Sequence, residues 1–156
     1  MRLITGTLLD NVISEAKKSP RRRKNYNFHP SDESRCHRLL NALEPGTYIR
    51  PHRHLDPEKE ELMLLLKGRM GMIFFDDAGT VTETALLAVG SESFGIDIPW
   101  GTYHSLVCLE PGTVFLEAKA GPYRPFTPEE NAPWAPTEQE PTAPVYLAEL
   151  ERLFVP

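Results

Sequence analysis

Two neighbouring stretches decide the fold: Gly46-Thr47-Tyr48-Ile49-Arg50-Pro51-His52-Arg53-His54, and Glu61-Leu62-Met63-Leu64-Leu65-Leu66-Lys67-Gly68. On extended chain, residues two apart point to the same side, so His52 and His54 present their imidazoles together. Alone, such a pair is more readily a surface or hydrogen-bonded feature than a ligand pair. Its surroundings change the weight. Glu61 heads the next apolar run, and Pro99-Trp100-Gly101-Thr102-Tyr103-His104 places a third histidine at the head of another. Two histidines, a carboxylate and a distant third histidine form a nitrogen and oxygen donor set suited to Fe(II), Mn(II), Ni(II), Zn(II) or Cu(II). On an octahedral ion, such a set leaves positions open for water, substrate or dioxygen.

Outward from this stretch, Cys36 to Ala118 repeats apolar runs separated by turn signals such as Glu44-Pro45-Gly46, Lys67-Gly68-Arg69 and Glu110-Pro111-Gly112. That rhythm predicts an all-β sandwich or barrel, with a tight hairpin at Asp76–Gly79. Met63, Leu65, Ile73, Phe75, Val114 and Leu116 are the expected core. Before the barrel, Thr7 to Lys18 reads as one amphipathic helix with Leu8, Leu9, Val12, Ile13 and Ala16 on its apolar stripe. Thr7 is its expected N-cap, and Pro20 stops it. Residues 21–34 read as polar loop or irregular strand. Seven of the fifteen prolines lie from Pro122 to Pro144, so the tail is expected to wrap the barrel in extended form, anchored by Trp134. A short helix is expected near Tyr146–Phe154. The organisation is thus a helix and lead-in over 1–34, a barrel over 35–123 and a proline-rich tail over 124–156.

Across its 156 residues the chain is 40% hydrophobic and 25% charged, with a net charge of −5. The acidic balance argues against a general nucleic-acid binder. No apolar run reaches the roughly 18 residues of a membrane span, and the first residues lack a signal-peptide pattern, so no membrane partner and a cytoplasmic location are expected. Two cysteines, Cys36 and Cys108, exclude a disulfide framework and a thiolate zinc site. The basic run Arg21–Lys24 is read as a solvated loop ahead of an anion contact.

The motif residues resemble those of the cupins, small jelly-roll-like β-barrels built as a double-stranded β-helix. Gly46, His52, His54, Glu61 and Gly68 fit the first cupin motif, and Pro99, Gly101 and His104 fit the second. The long gap between His54 and Glu61, the helical N-terminus and Glu117-Ala118-Lys119-Ala120-Gly121-Pro122-Tyr123 resemble the WbuC-type cupin metalloproteins over residues 5–123. Cys108 replaces the second motif's asparagine and Ser93 a glycine; neither removes a ligand. The resemblance implies one divalent transition metal (Fe, Mn, Ni or Zn) on His52, His54, Glu61 and His104, and a homodimer. Glu61 is preferred to Glu58 and Glu60 because it keeps the motif's distance to Gly68 and begins a strand.

Strand parity adds Arg50 and Tyr48 to the inward face beside the histidines. Arg50 is either a clamp for a substrate anion or a side chain turned to solvent by a bulge. Asn27 and His29 are further substrate-binding candidates, since this lead-in lies near the site in the resembled family. His37 is assigned to the core edge or surface, and Cys108 to the core as a small hydrophobe. Two functions compete. One is a metal-dependent cupin acting on a small polar metabolite such as a sugar, nucleotide sugar or organic acid, through the family's association with polysaccharide biosynthesis. The other is a non-catalytic, metal-dependent sugar-binding or sensing module. Whether the chain is an enzyme stays open at this point, because no acid or base stands out beside the metal.

Overall fold

The apolar runs become eight antiparallel strands with a helix at each end in the computed structural model, which describes residues 1–155. Pro156, the last residue of the expected tail, lies outside the described residues. The order is α1 (Gly6–Lys18), β1 (Arg23–Asn27), β2 (Cys36–Leu43), β3 (Glu61–Lys67), β4 (Arg69–Phe75), β5 (Val81–Ala88), β6 (Gly95–Ile98), β7 (Tyr103–Cys108), β8 (Thr113–Ala120) and α2 (Ala143–Arg152). Five strands form one sheet in the order β1-β2-β8-β3-β6, and three form the other as β5-β4-β7. Among the described residues no helix is long and apolar enough to cross a membrane.

Three sequence expectations change. The N-cap is Thr5, whose hydroxyl accepts the Leu8 N–H at 3.2 Å, because the helix begins one residue before Thr7. Arg23–Asn27 is a regular strand, paired with β2 from Arg23↔Leu43 to Asn27↔Leu39. Its polar sequence hides it: one face meets α1 while Arg23, Asn25 and Asn27 line a cavity on the other, so it lacks the apolar alternation that marks the other strands.

The expected core also divides. Met63 and Leu65 join Met70, Met72, Leu106 and Phe115 between the sheets. Val114 lies on the opposite face of its sheet, under Val12, Ile13 and Ala16 of α1, with Leu116 packed at the margin. Ile73 and Phe75 point outward from the small sheet and are covered by Ala132, Ala135, Leu147 and Leu150 of the tail and α2. Period-two alternation makes this possible, because each sheet carries apolar residues on both faces and these need cover on both. The tail is therefore a packing layer. Trp134 lies against Phe75 at a centroid distance of 4.9 Å and against Tyr103 at 6.0 Å.

Gly68 joins β3 to β4 at φ +82°, where a Cβ would stand 2.3 Å from Thr113 Oγ1 and 2.8 Å from Thr113 Cα. Only glycine combines that backbone with that approach. The turn sets the start of β4 against β8 and so helps frame the barrel around the site.

Candidate metal centre

No regular strand runs from Glu44 to Glu60. The segment holding His52 and His54 is instead fixed from two sides. His52 and His104 exchange backbone hydrogen bonds, His52 N to His104 O at 3.0 Å and His104 N to His52 O at 2.9 Å. On the other side the tail pairs with the same segment: Arg53 N donates to Glu130 O at 2.9 Å and Ala132 N to Pro51 O at 3.0 Å. Side-chain alternation survives around the pair. Arg53 turns outward, its guanidinium over the Tyr103 ring at 4.3 Å and bound to Asp77 at 2.9 Å.

His52, His54 and Glu61 each direct one donor atom into a cluster in which the three atoms lie within 4.8 Å of one another. His104 adjoins them, its Nε2 3.1 Å from Glu61 Oε2, while His54 Nε2 lies 2.9 Å from Glu61 Oε1. Glu61 is 2% exposed at the start of β3, whereas Glu58 and Glu60 face solvent.

The ring nitrogens show whether this set fits a metal. His52 Nδ1 lies 3.0 Å from Arg50 O, and His104 Nδ1 2.9 Å from Thr102 O. A carbonyl only accepts, so each Nδ1 carries a proton and each ring turns its Nε2 toward the cluster. Burial, reinforced by neighbouring His104, pushes the His52 pKa down to about 3 and keeps that ring neutral. His104 Nε2 faces Glu61 Oε2 at 3.1 Å, a separation that a proton on the ring or a cation held by both groups can bridge. Nδ1–H on a backbone carbonyl with Nε2 turned inward is how proteins orient histidine ligands. The donors therefore fit a divalent transition metal.

Burial pushes the Glu61 carboxyl upward, but hydrogen bonds from His104 and His54 and the charge of Lys119 outweigh it and hold the group well below its usual range. It is a carboxylate at neutral pH. Lys119 Nζ stands 2.7 Å from Glu61 Oε1 and 2.7 Å from Glu117 Oε1. Burial lowers the lysine's pKa, yet these two carboxylates together raise it above its ordinary value.

The cluster opens into a cavity of about 940 Å³, a size that suits a small-molecule ligand. Arg50, Asn27 and His29 line it. Arg50 Nη2 donates to Ala132 O at 2.6 Å, and its Nε is buried without a partner. Tyr48 does not join them. Its hydroxyl donates to Pro136 O at 2.8 Å, and its ring packs edge-on against Tyr146 beneath the tail. Parity fails there because the segment is irregular: Ile49 and Arg50, adjacent in sequence, both line the cavity.

Several cavity residues escaped the sequence reading. His37 is buried and stacked on His29, ring centroids 4.0 Å apart. Phe126 of the tail lies over His52 at 4.5 Å and His54 at 5.4 Å. Arg21 and Arg23 reach the cavity and both bind Glu138 of the tail, Arg21 through two hydrogen bonds of 3.0 and 2.9 Å. A usable signal existed for Glu117 and Lys119. Charges two apart inside the apolar run Thr113–Ala120 mark one face of a strand as a polar site. Cys108 is buried in the core as expected.

A family model described as a domain of unknown function (DUF6016) matches residues 4–87. No curated protein matches the chain. Among solved structures, KdgF from Halomonas sp. is similar over 68% of this chain and 84% of that one, at 17% identity and a TM-score of 0.52. The conserved protein SPY1581 of unknown function from Streptococcus pyogenes is similar over 68% and 80%, at 17% identity and a TM-score of 0.50. A cupin superfamily protein, DSY2733 from Desulfitobacterium hafniense DCB-2, covers 63% and 76%, at 15% identity and a TM-score of 0.49. At 17% identity the likeness to KdgF and SPY1581 is one of fold alone, the two-sheet antiparallel β-barrel described above.

Proposed function

This chain belongs to the DUF6016 family, described only as a domain of unknown function, and we propose its function from the site itself: a metal-dependent cupin that binds and transforms a small anionic metabolite, such as a sugar acid, nucleotide sugar or organic acid. His52, His54, Glu61 and His104 would hold the ion. A divalent metal there supplies Lewis-acid polarisation of a substrate oxygen.

The observation that carries the reading is the unmatched arginine beside the ligand cluster. Of the arginines on the cavity wall, Arg21 and Arg23 are both bound to Glu138. Arg50, two residues before His52, has no carboxylate partner among the described residues and keeps a buried Nε unpartnered. A guanidinium so placed favours a ligand with two oxygens, a carboxylate or a phosphate. Asn27 and His29 supply polar contacts farther along the same wall. Phe126 packs its ring against the two histidines. A sugar-based substrate would extend the WbuC-type resemblance, and the cavity volume accommodates one.

The test pairs metal analysis with a thermal-shift screen of sugars, sugar acids and organic acids, on wild type and Arg50→Lys. The variant keeps the charge and loses the planar fork. Retained metal with at least about tenfold weaker binding of the best hit supports the reading. Unchanged metal and unchanged binding return Arg50 to a structural role. A wild-type protein that takes up no metal refutes the metal-dependent function altogether.

A further inference from the structure

Lys119 occupies a central position on the polar side of the five-stranded sheet. It stands opposite His37 in the β2–β8 register and opposite Glu61 in the β8–β3 register. Its side chain is 21% exposed, and its ammonium is held between Glu61 Oε1 and Glu117 Oε1, each at 2.7 Å. Asn41 Nδ2 donates to the other oxygen of Glu117 at 2.8 Å, which fixes that carboxylate. The ammonium therefore sits in a built cradle. It shares Glu61 Oε1 with His54 Nε2, which lies 2.9 Å from the same atom.

We propose that Lys119 is a built-in competitor cation that sets the metal affinity of this centre, by contending with the ion for Glu61. The inference rests on the metal-centre reading above. A lysine that merely stabilised the strand would help order Glu61, and its loss would weaken metal binding. A competing charge does the reverse. Two cations drawn to one carboxylate repel each other strongly where burial limits screening by water. Glu117 gives the ammonium a second carboxylate, so the lysine can yield Glu61 while staying paired. The design would keep the ion exchangeable and places a positive charge on the cavity wall beside the ligand cluster.

The test measures Co(II) and Zn(II) affinities by chelator competition at one pH, using the full-length protein. Lys119→Met and Lys119→Gln remove the charge, the second keeping a hydrogen-bond donor for Glu61; Lys119→Arg keeps the charge. Both neutral variants should bind each ion at least about tenfold more tightly than wild type, and Lys119→Arg should stay within about threefold. If Lys119→Met does not fold, Lys119→Gln decides alone. A folded neutral variant with equal or weaker affinity overturns the proposal. Should neither wild type nor any variant take up either ion, the metal-centre reading itself has failed.

Discussion

His52 and His104 are held by the same local device and locked to each other. Each ring directs Nδ1 at the carbonyl two residues back, Arg50 O at 3.0 Å and Thr102 O at 2.9 Å. Their backbones exchange two hydrogen bonds, and the ring centroids stand 4.6 Å apart. Two segments distant in sequence thus deliver their Nε2 atoms to one place with the tautomer already chosen. Replacing His52 or His104 by Ala should therefore lower metal affinity by at least about tenfold, whereas His37→Ala should leave it near wild type. His37 sits beyond Lys119 and stacks on His29, away from the ligand cluster. Metal content after dialysis against a fixed free-ion concentration measures all three; equal content would refute the ligand assignment.

Chelation should leave the β-type circular dichroism intact while lowering the melting temperature by a few degrees. Three apolar layers, independent of the site, hold the elements together. A bound ion adds stability only through mass action on the folded state. Collapse of the dichroism after chelation would make the metal a folding element instead.

Gly68→Ala should cost about 2–4 kcal/mol in denaturant unfolding. Its φ of +82° and the 2.8 Å approach of Thr113 Cα act together, and trimming the Thr113 side chain cannot move its backbone. The double variant Gly68→Ala with Thr113→Ala should stay well below wild type in stability.

Trp134→Ala should destabilise by about 2–3 kcal/mol, because the indole fills the space over Phe75 and Tyr103. Trp134→Phe should cost less than about 1 kcal/mol. It keeps an aromatic ring in place and removes an Nε1–H that is buried without a partner. Thermal unfolding of the two variants side by side separates these terms.

Glu138 gives the tail a pH-dependent anchor. Burial raises its pKa, but hydrogen bonds and charge from Arg21 and Arg23 outweigh this and hold it below the ordinary value of 4.5. A depressed carboxylate contributes stability above its unfolded pKa and loses it as pH falls through the folded one. The stability gap between wild type and Glu138→Gln should thus be full at pH 7 and close progressively below about pH 4.5. A gap that widens on acidification would contradict the sign.

How much of this was legible beforehand follows from the range of each interaction. Alternation and turn residues are local, so the antiparallel strands, the Asp76–Gly79 hairpin and the N-terminal helix were readable from the chain. The spacing of His52, His54, Glu61 and His104 was readable too, and the structure brings these four together. Parity did put Arg50 on the cavity wall with His52, although adjacent Ile49 lies there as well. It failed for Tyr48, which lies where the backbone is irregular and the tail supplies Pro136 as a partner. Only tertiary structure could decide which face of each sheet a residue serves, since both faces carry apolar residues and α1 and the tail supply the missing cover. It alone paired β1 with β2, raised Lys119 between Glu61 and Glu117, and laid Phe126 over the histidines. Those contacts join residues far apart in the chain, and a one-dimensional pattern carries the period of a strand but not the identity of its neighbour.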